Sequence, residues 1–153
     1  MINIQVADPY NELVDVQKLE LAAVAALQYE AENIIPDLSI VIEDDSRLRE
    51  LNKEFLEIDE PTDVLSFPSG EEAPDPETGR VYLGDIIISY PRAEEQAIAA
   101  GHPLLAEIQL LVVHGVLHLL GHDHAEPDEK ALMWAAQAEI LRILGVPIAR
   151  LPE

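Results

Sequence analysis

The sequence contains no cysteine. Disulfides and thiolate ligands are therefore excluded, and any metal must be held by nitrogen and oxygen. It has no run of eighteen or more apolar residues, and its first residues, MINIQVADPY, lack a basic region followed by an apolar core. The expectation is a soluble, cytoplasmic chain with no membrane partner. Positive charge is scarce: nine Lys and Arg stand against thirty Asp and Glu, for a net charge of −21. Nucleic-acid binding ordinarily draws much of its free energy from counterions released when cations meet phosphates, so such a chain is repelled by RNA at long range. The acidity fits solubility or a salty cytoplasm in which surface fields are screened. The alternatives are a cationic protein partner or loss of direct RNA binding.

What is present suffices for one core: 153 residues, 48% of them hydrophobic, fit a single domain over residues 1–153. INIQV (residues 2–6) alternates as a strand does, and a helix is expected from about Val14 to Glu32. Pro36 closes the connection to a strand at Leu38–Glu43, and Asp44, Asp45 and Ser46 supply cap chemistry for a helix carrying Leu48, Leu51 and Phe55. A third strand follows Pro61, an acidic loop fills 69–79, and VYLGDIIIS (81–89) reads as a central strand. Helices are expected from Pro91 to Ala100, from Pro103 to Leu120, and from about Asp128 until Gly145 and Pro147 stop the last one. The sum is an α+β fold: a small, mixed, four-stranded sheet covered by about five helices.

The most informative stretch is HGVLHLLGHDH, residues 114–124. His114 and His118, four apart, lie on one helical face, about 40° and about 6 Å from each other. Gly121 can take a left-handed conformation and return the chain so that His124 crosses the same face. Three neutral imidazoles around a tetrahedral ion leave one position open, as in catalytic rather than structural zinc sites. The metal site is thus expected on a buried helix and the turn after it. The spacing is similar to the HExxHxxGxxH pattern of metzincin proteases, but Gly115 stands where those enzymes carry the glutamate base. His122 is expected to pack at or border the site, and His102 to cap locally or face water.

The histidine block resembles the signature of YbeY-type rRNA maturation factors, a family of bacterial metal-dependent endoribonucleases. PTDVLSFP (Pro61–Pro68) resembles the family's second block and LGDIIIS (Leu83–Ser89) its third. The resemblance implies a zinc-dependent endoribonuclease, with nickel or another divalent ion as an alternative, acting in 16S rRNA 3′-end maturation and ribosome quality control. It implies His114, His118 and His124 as ligands. Precursor rRNA, the small ribosomal subunit and a basic small-subunit ribosomal protein are the implied partners. Asp85 is a candidate catalytic carboxylate because it falls in the third block. Asp123 is another, since it could orient a ligand imidazole or brace the turn. Thr62, Asp63 and Ser66 fall in a strand resembling the family's cleft wall. Where the family carries an arginine and a glycine, this chain has Leu56 and Glu57; Arg49, Lys53, Arg80 and Arg92 are the nearest cations that could substitute. A guanidinium forks onto phosphate oxygens and leucine cannot. The alternatives are therefore a non-catalytic, metal-stabilised ribosome-assembly factor and, disfavoured by Gly115, a metallopeptidase.

Overall fold

Alternation of apolar and polar residues in INIQV produces β1 (Ile2–Val6), whose even residues face inward. The chain is seen in a computed structural model that describes residues 1–30, 35–71 and 73–148. Asp15 accepts from the backbone N–H of Gln17 at 3.2 Å and so opens α1 (Val16–Glu30). The last two residues of the expected helix, Ala31 and Glu32, lie outside the described residues. β2 (Ile35–Glu43) follows, and Pro36 falls within it rather than before it. The proline is tolerated because residues 35–37 pair only with the later strand β4 (Arg80–Ser89), beyond the end of β1.

Asp44 caps α2 (Asp45–Leu56) through the N–H of Arg47 at 2.8 Å. β3 (Val64–Pro68) begins two residues after the start expected at Thr62; the Asp63 carboxylate turns back onto the N–H of Val64, while its backbone carbonyl accepts from the N–H of Ser89. Ser89 then caps α3 (Tyr90–Ala100), which leads to α4 (Leu104–Leu119) and α5 (Pro127–Leu144). The sheet order is β1-β2-β4-β3, with β3 antiparallel and the other pairs parallel. This is the mixed sheet and the five helices expected from the sequence, an α+β single domain; β4 is central, as its apolar run suggested.

Leu38, Ile40, Ile42, Ile86 and Ile88 face the layer built by α1, α3, α4 and α5. On the opposite face, Ile87 and Leu65 form a smaller cluster with Leu48 and Leu51 of α2, against which Val41 and Phe67 pack. α4 is the buried centre of the larger layer, touching α1, α3 and α5 as well as β3 and β4. Among the described residues no single helix is long and apolar enough to cross a membrane. α3 and α4 reach that length only together, bent by 113° where they meet.

The end of α2 positions one wall of the site. Glu57 adopts φ 60° and ψ 26°, and the N–H groups of Glu57 and Ile58 close the helix onto Lys53 and Asn52. A left-handed residue with a Cβ is strained by about 1–2 kcal/mol, so this is the conformation for which the family's glycine is suited. Glu57→Gly is expected to stabilise the protein by about 0.5–1 kcal/mol, the strain relief less the extra unfolded-state freedom of glycine. A denaturant midpoint that rises with unchanged slope would show it; an unchanged midpoint would mean that Glu57 is not strained.

Candidate metal centre

His114 and His118 sit at the C-terminal end of α4, where the helix emerges from the core past the edge of the sheet. The helix stops because Gly121 takes φ 104°. The N–H groups of Gly121 and His122 then bond back to His118 and Leu117, each at 3.0 Å, the pairing of a Schellman motif. That reversal brings His124 over the helix end. The rings of His114, His118 and His124 lie with centroids 4.7, 5.1 and 5.6 Å apart. Each offers one nitrogen within 4.8 Å of the others.

The donor set fits a divalent ion. Burial pushes the imidazole of His114 below its ordinary pKa and that of His118 down to about 4, with neighbouring imidazoles adding to the effect at His118. Both rings are therefore neutral, as ligands must be. Nitrogens around one tetrahedral zinc lie roughly 3.4 Å apart, so side-chain adjustments of about an ångström close the set. His114 Nδ1 is committed to Gln137 Oε1 of α5 at 2.5 Å. The amide oxygen can only accept, so Nδ1 carries the proton and Nε2 is the nitrogen left for the ion. Gln137 is fully buried and was not foreseen. Its one sequence signal is a polar residue on the face of α5 otherwise made by Met133, Ala136, Ile140 and Leu141. Gln137→Leu, which keeps the volume but frees the ring, is expected to weaken ion binding about 10–100-fold. Titration with zinc, read by calorimetry, would measure it.

Gly115 points the other way, into the sheet. A Cβ built there would meet the side chain of Ile86 at 2.8 Å. No glutamate can stand at this position without driving α4 off β4, so the metzincin base is excluded by packing. The accessible side of the histidines is a cleft of about 590 Å³ that wraps over the edge strand β3. Thr62, Asp63 and Ser66 line it, and so does Leu56, together with Phe55 and Phe67. Asp63 also borders a smaller cavity of about 190 Å³ on the flank of His114 and His124. There the edge of Trp134 meets both rings, with centroids 5.8 and 5.5 Å away, and Lys130 lies over the indole at 5.4 Å.

Asp85 is not brought to the histidines. Ile86 faces α4, so its neighbour Asp85 faces α2, where its carboxylate accepts from the Tyr82 hydroxyl and borders a groove with Leu51 and Ile87. Asp123 braces the turn: its Oδ1 accepts from the backbone N–H of His124 at 2.7 Å. His122 turns away from the site to Glu30 of α1, at 2.9 Å. His102, expected to cap or face water, is instead buried and paired with Glu107 of α4 at 2.6 Å. Arg49 is held by Asp59, Arg80 by Asp37 and Arg92 by Asp45. Neither these three nor Lys53 lines the cleft.

The lowered pKa of His118 has a consequence for stability. An unfolded chain protonates this ring near pH 6.5 and the folded one only near 4. Between those values the unfolded state binds more protons, so the metal-free protein is expected to lose stability as pH falls through that window. Denaturant midpoints of metal-stripped protein at pH 7 and pH 5 would show the drop, which should shrink in His118→Gln.

The sequence profile of one family, endoribonuclease YbeY, matches residues 4–145. Relatives named endoribonuclease YbeY include one from Mycobacterium sp. (strain KMS), 46% identical over 135 residues, covering 84% of this chain and 76% of the relative. Another, from Dehalococcoides mccartyi (strain CBDB1), is 44% identical over 146 residues, covering 89% and 88%. The solution structure of TM1509 from Thermotoga maritima superposes with a TM-score of 0.65 at 28% identity, covering 94% of this chain and 89% of that one. The match runs through the histidine block, the edge strand and the central strand alike, and on it this chain belongs to the endoribonuclease YbeY family.

Proposed function

We propose that this protein is a zinc-dependent endoribonuclease acting in the cytoplasm on precursor rRNA of the small ribosomal subunit, in 16S rRNA 3′-end maturation and ribosome quality control. The observation that carries the reading is the convergence of His114, His118 and His124 at one wall of an open cleft, in a chain of this family. Bound there, a divalent ion supplies Lewis acidity beside a phosphodiester. Gln137 fixes the tautomer of His114, and the turn at Gly121 fixes the approach of His124. Asp63, the one carboxylate lining the cleft among the described residues, stands where a proton can be taken up. Nickel or another divalent ion would satisfy the same three nitrogens.

Cleavage of a precursor rRNA fragment by zinc-loaded protein, lost on chelation and restored by zinc, is the expected result. Intact RNA under those conditions would sink the nuclease reading. A second reading, a non-catalytic assembly factor docked on a basic small-subunit ribosomal protein, is favoured by Leu56 in the cleft and the net charge of −21. Capture of that protein without RNA cleavage would select it.

A further inference from the structure

The wall of the cleft where the family's arginine is expected is aromatic and apolar. The chain has only two phenylalanines, and both line this cleft. Phe55, in the last turn of α2, is 58% exposed. Its ring leans on that of Phe67 from β3, with centroids 5.2 Å apart and planes tilted by 58°. Phe67 is itself packed on the cluster of Leu48, Leu51, Leu65 and Ile87, so it is a firm backing. Leu56 beside it is 52% exposed. Among the described residues no lysine or arginine lines the cleft. A phosphate would therefore find on this wall no partner of opposite charge, in a chain that already carries −21. The flat faces of nucleobases carry no charge, and every base presents one to an aromatic ring.

Resting on the nuclease reading above, we propose that Phe55, backed by Phe67, is the platform on which a nucleobase of the substrate stacks. The strand is then held beside the three histidines by its bases rather than by its phosphates. The platform is continuous with the metal centre, since Phe55, Phe67 and the three imidazoles line one cleft. Stacking releases no counterions, whereas repulsion between the phosphates and the acidic surface weakens as salt is added. Affinity should therefore stay flat or rise with salt, the reverse of ordinary nucleic-acid binders.

The test uses the zinc-loaded protein and two fluorescent decamers, one of 2′-O-methyl adenosine and one with the same sugar–phosphate backbone but no bases, read by anisotropy. The adenosine decamer is expected to bind and the abasic one to bind at least tenfold more weakly. Phe55→Ala should weaken the adenosine decamer roughly five- to hundredfold, the range for losing one base–aromatic stack. Phe55→Tyr should restore it, which a merely structural role would not predict. Phe55 belongs to neither buried cluster, so the variants keep the core. Equal binding of the two decamers, affinity falling steeply with salt, or an unaffected Phe55→Ala would overturn the platform, as would preferential binding of an apolar peptide that the decamer does not displace. Decamer binding with these signatures but without precursor rRNA cleavage leaves the platform standing and overturns the nuclease reading. Cleavage with equal decamer binding does the reverse.

Discussion

His118→Ala is expected to abolish retention of a divalent ion and to reduce RNA cleavage roughly a thousandfold or more, since a catalytic ion contributes several kcal/mol to the barrier. His118 offers one of three nitrogens in the only such group among the described residues, and two remaining imidazoles leave the ion held mainly by solvent. The fold should survive. Alanine is the best helix former, and the side chain removed is half-buried at the last turn of α4, outside the apolar clusters. Elemental analysis of the purified variant, circular dichroism and the cleavage assay together decide the matter. His122→Ala is the control, because that ring is paired with Glu30 and stands apart from the ligand group. Full cleavage by His118→Ala without bound ion would remove the three histidines from the chemistry altogether.

Leu56→Arg is the second large effect, and it is a gain. Leu56 ends α2 and lines the same cleft as the three histidines, so a guanidinium placed there is expected to meet a phosphate held in that cleft. A hydrogen-bonded pair between charged groups is worth about 1.5–3 kcal/mol, or roughly ten- to a hundredfold in RNA affinity. The salt dependence should change with it: one added phosphate contact on a single strand makes log K fall more steeply by about 0.7 per unit of log salt. Cleavage appearing only in the variant would favour the assembly-factor reading of the natural chain. Equal activity in both would mean that other groups, the Phe55 wall among them, already do the arginine's work. Arg49, Arg80 and Arg92 are held in ion pairs, and neither they nor Lys53 line the cleft.

Which parts of this could be read in advance follows from how far each signal reaches along the chain. The helix start at Asp44, the helix expected from Pro91 to Ala100 and the interval between His114 and His118 are set by residues within a few positions of one another. The same holds for the turn at Gly121, whose hydrogen bonds span only to His118 and Leu117. Asp85 was misplaced because a strand shows its neighbours two faces. Which face meets α4 is decided by Ile86 lying against Gly115, and by a register shift between Asp37 and Leu38 of the partner strand. His102 was misread for a similar reason, since its partner Glu107 is near in sequence but only the packing of α4 buries the pair.

Composition and short-range spacing sufficed for the α+β class, the absence of thiolate ligands, the excess of negative charge and the choice of His114, His118 and His124 as a group that could hold an ion, because none of these needs knowledge of what lies across the core. Tertiary structure alone decided that Gln137, 23 residues from His114, fixes its tautomer. It also decided that position 115 has no room for a side chain, and that Phe55, Leu56 and Phe67 line one cleft with the histidines. Those facts depend on which surfaces of separate elements come into contact. That is settled by burying the apolar faces of four strands and five helices together, and no local pattern along the chain records it.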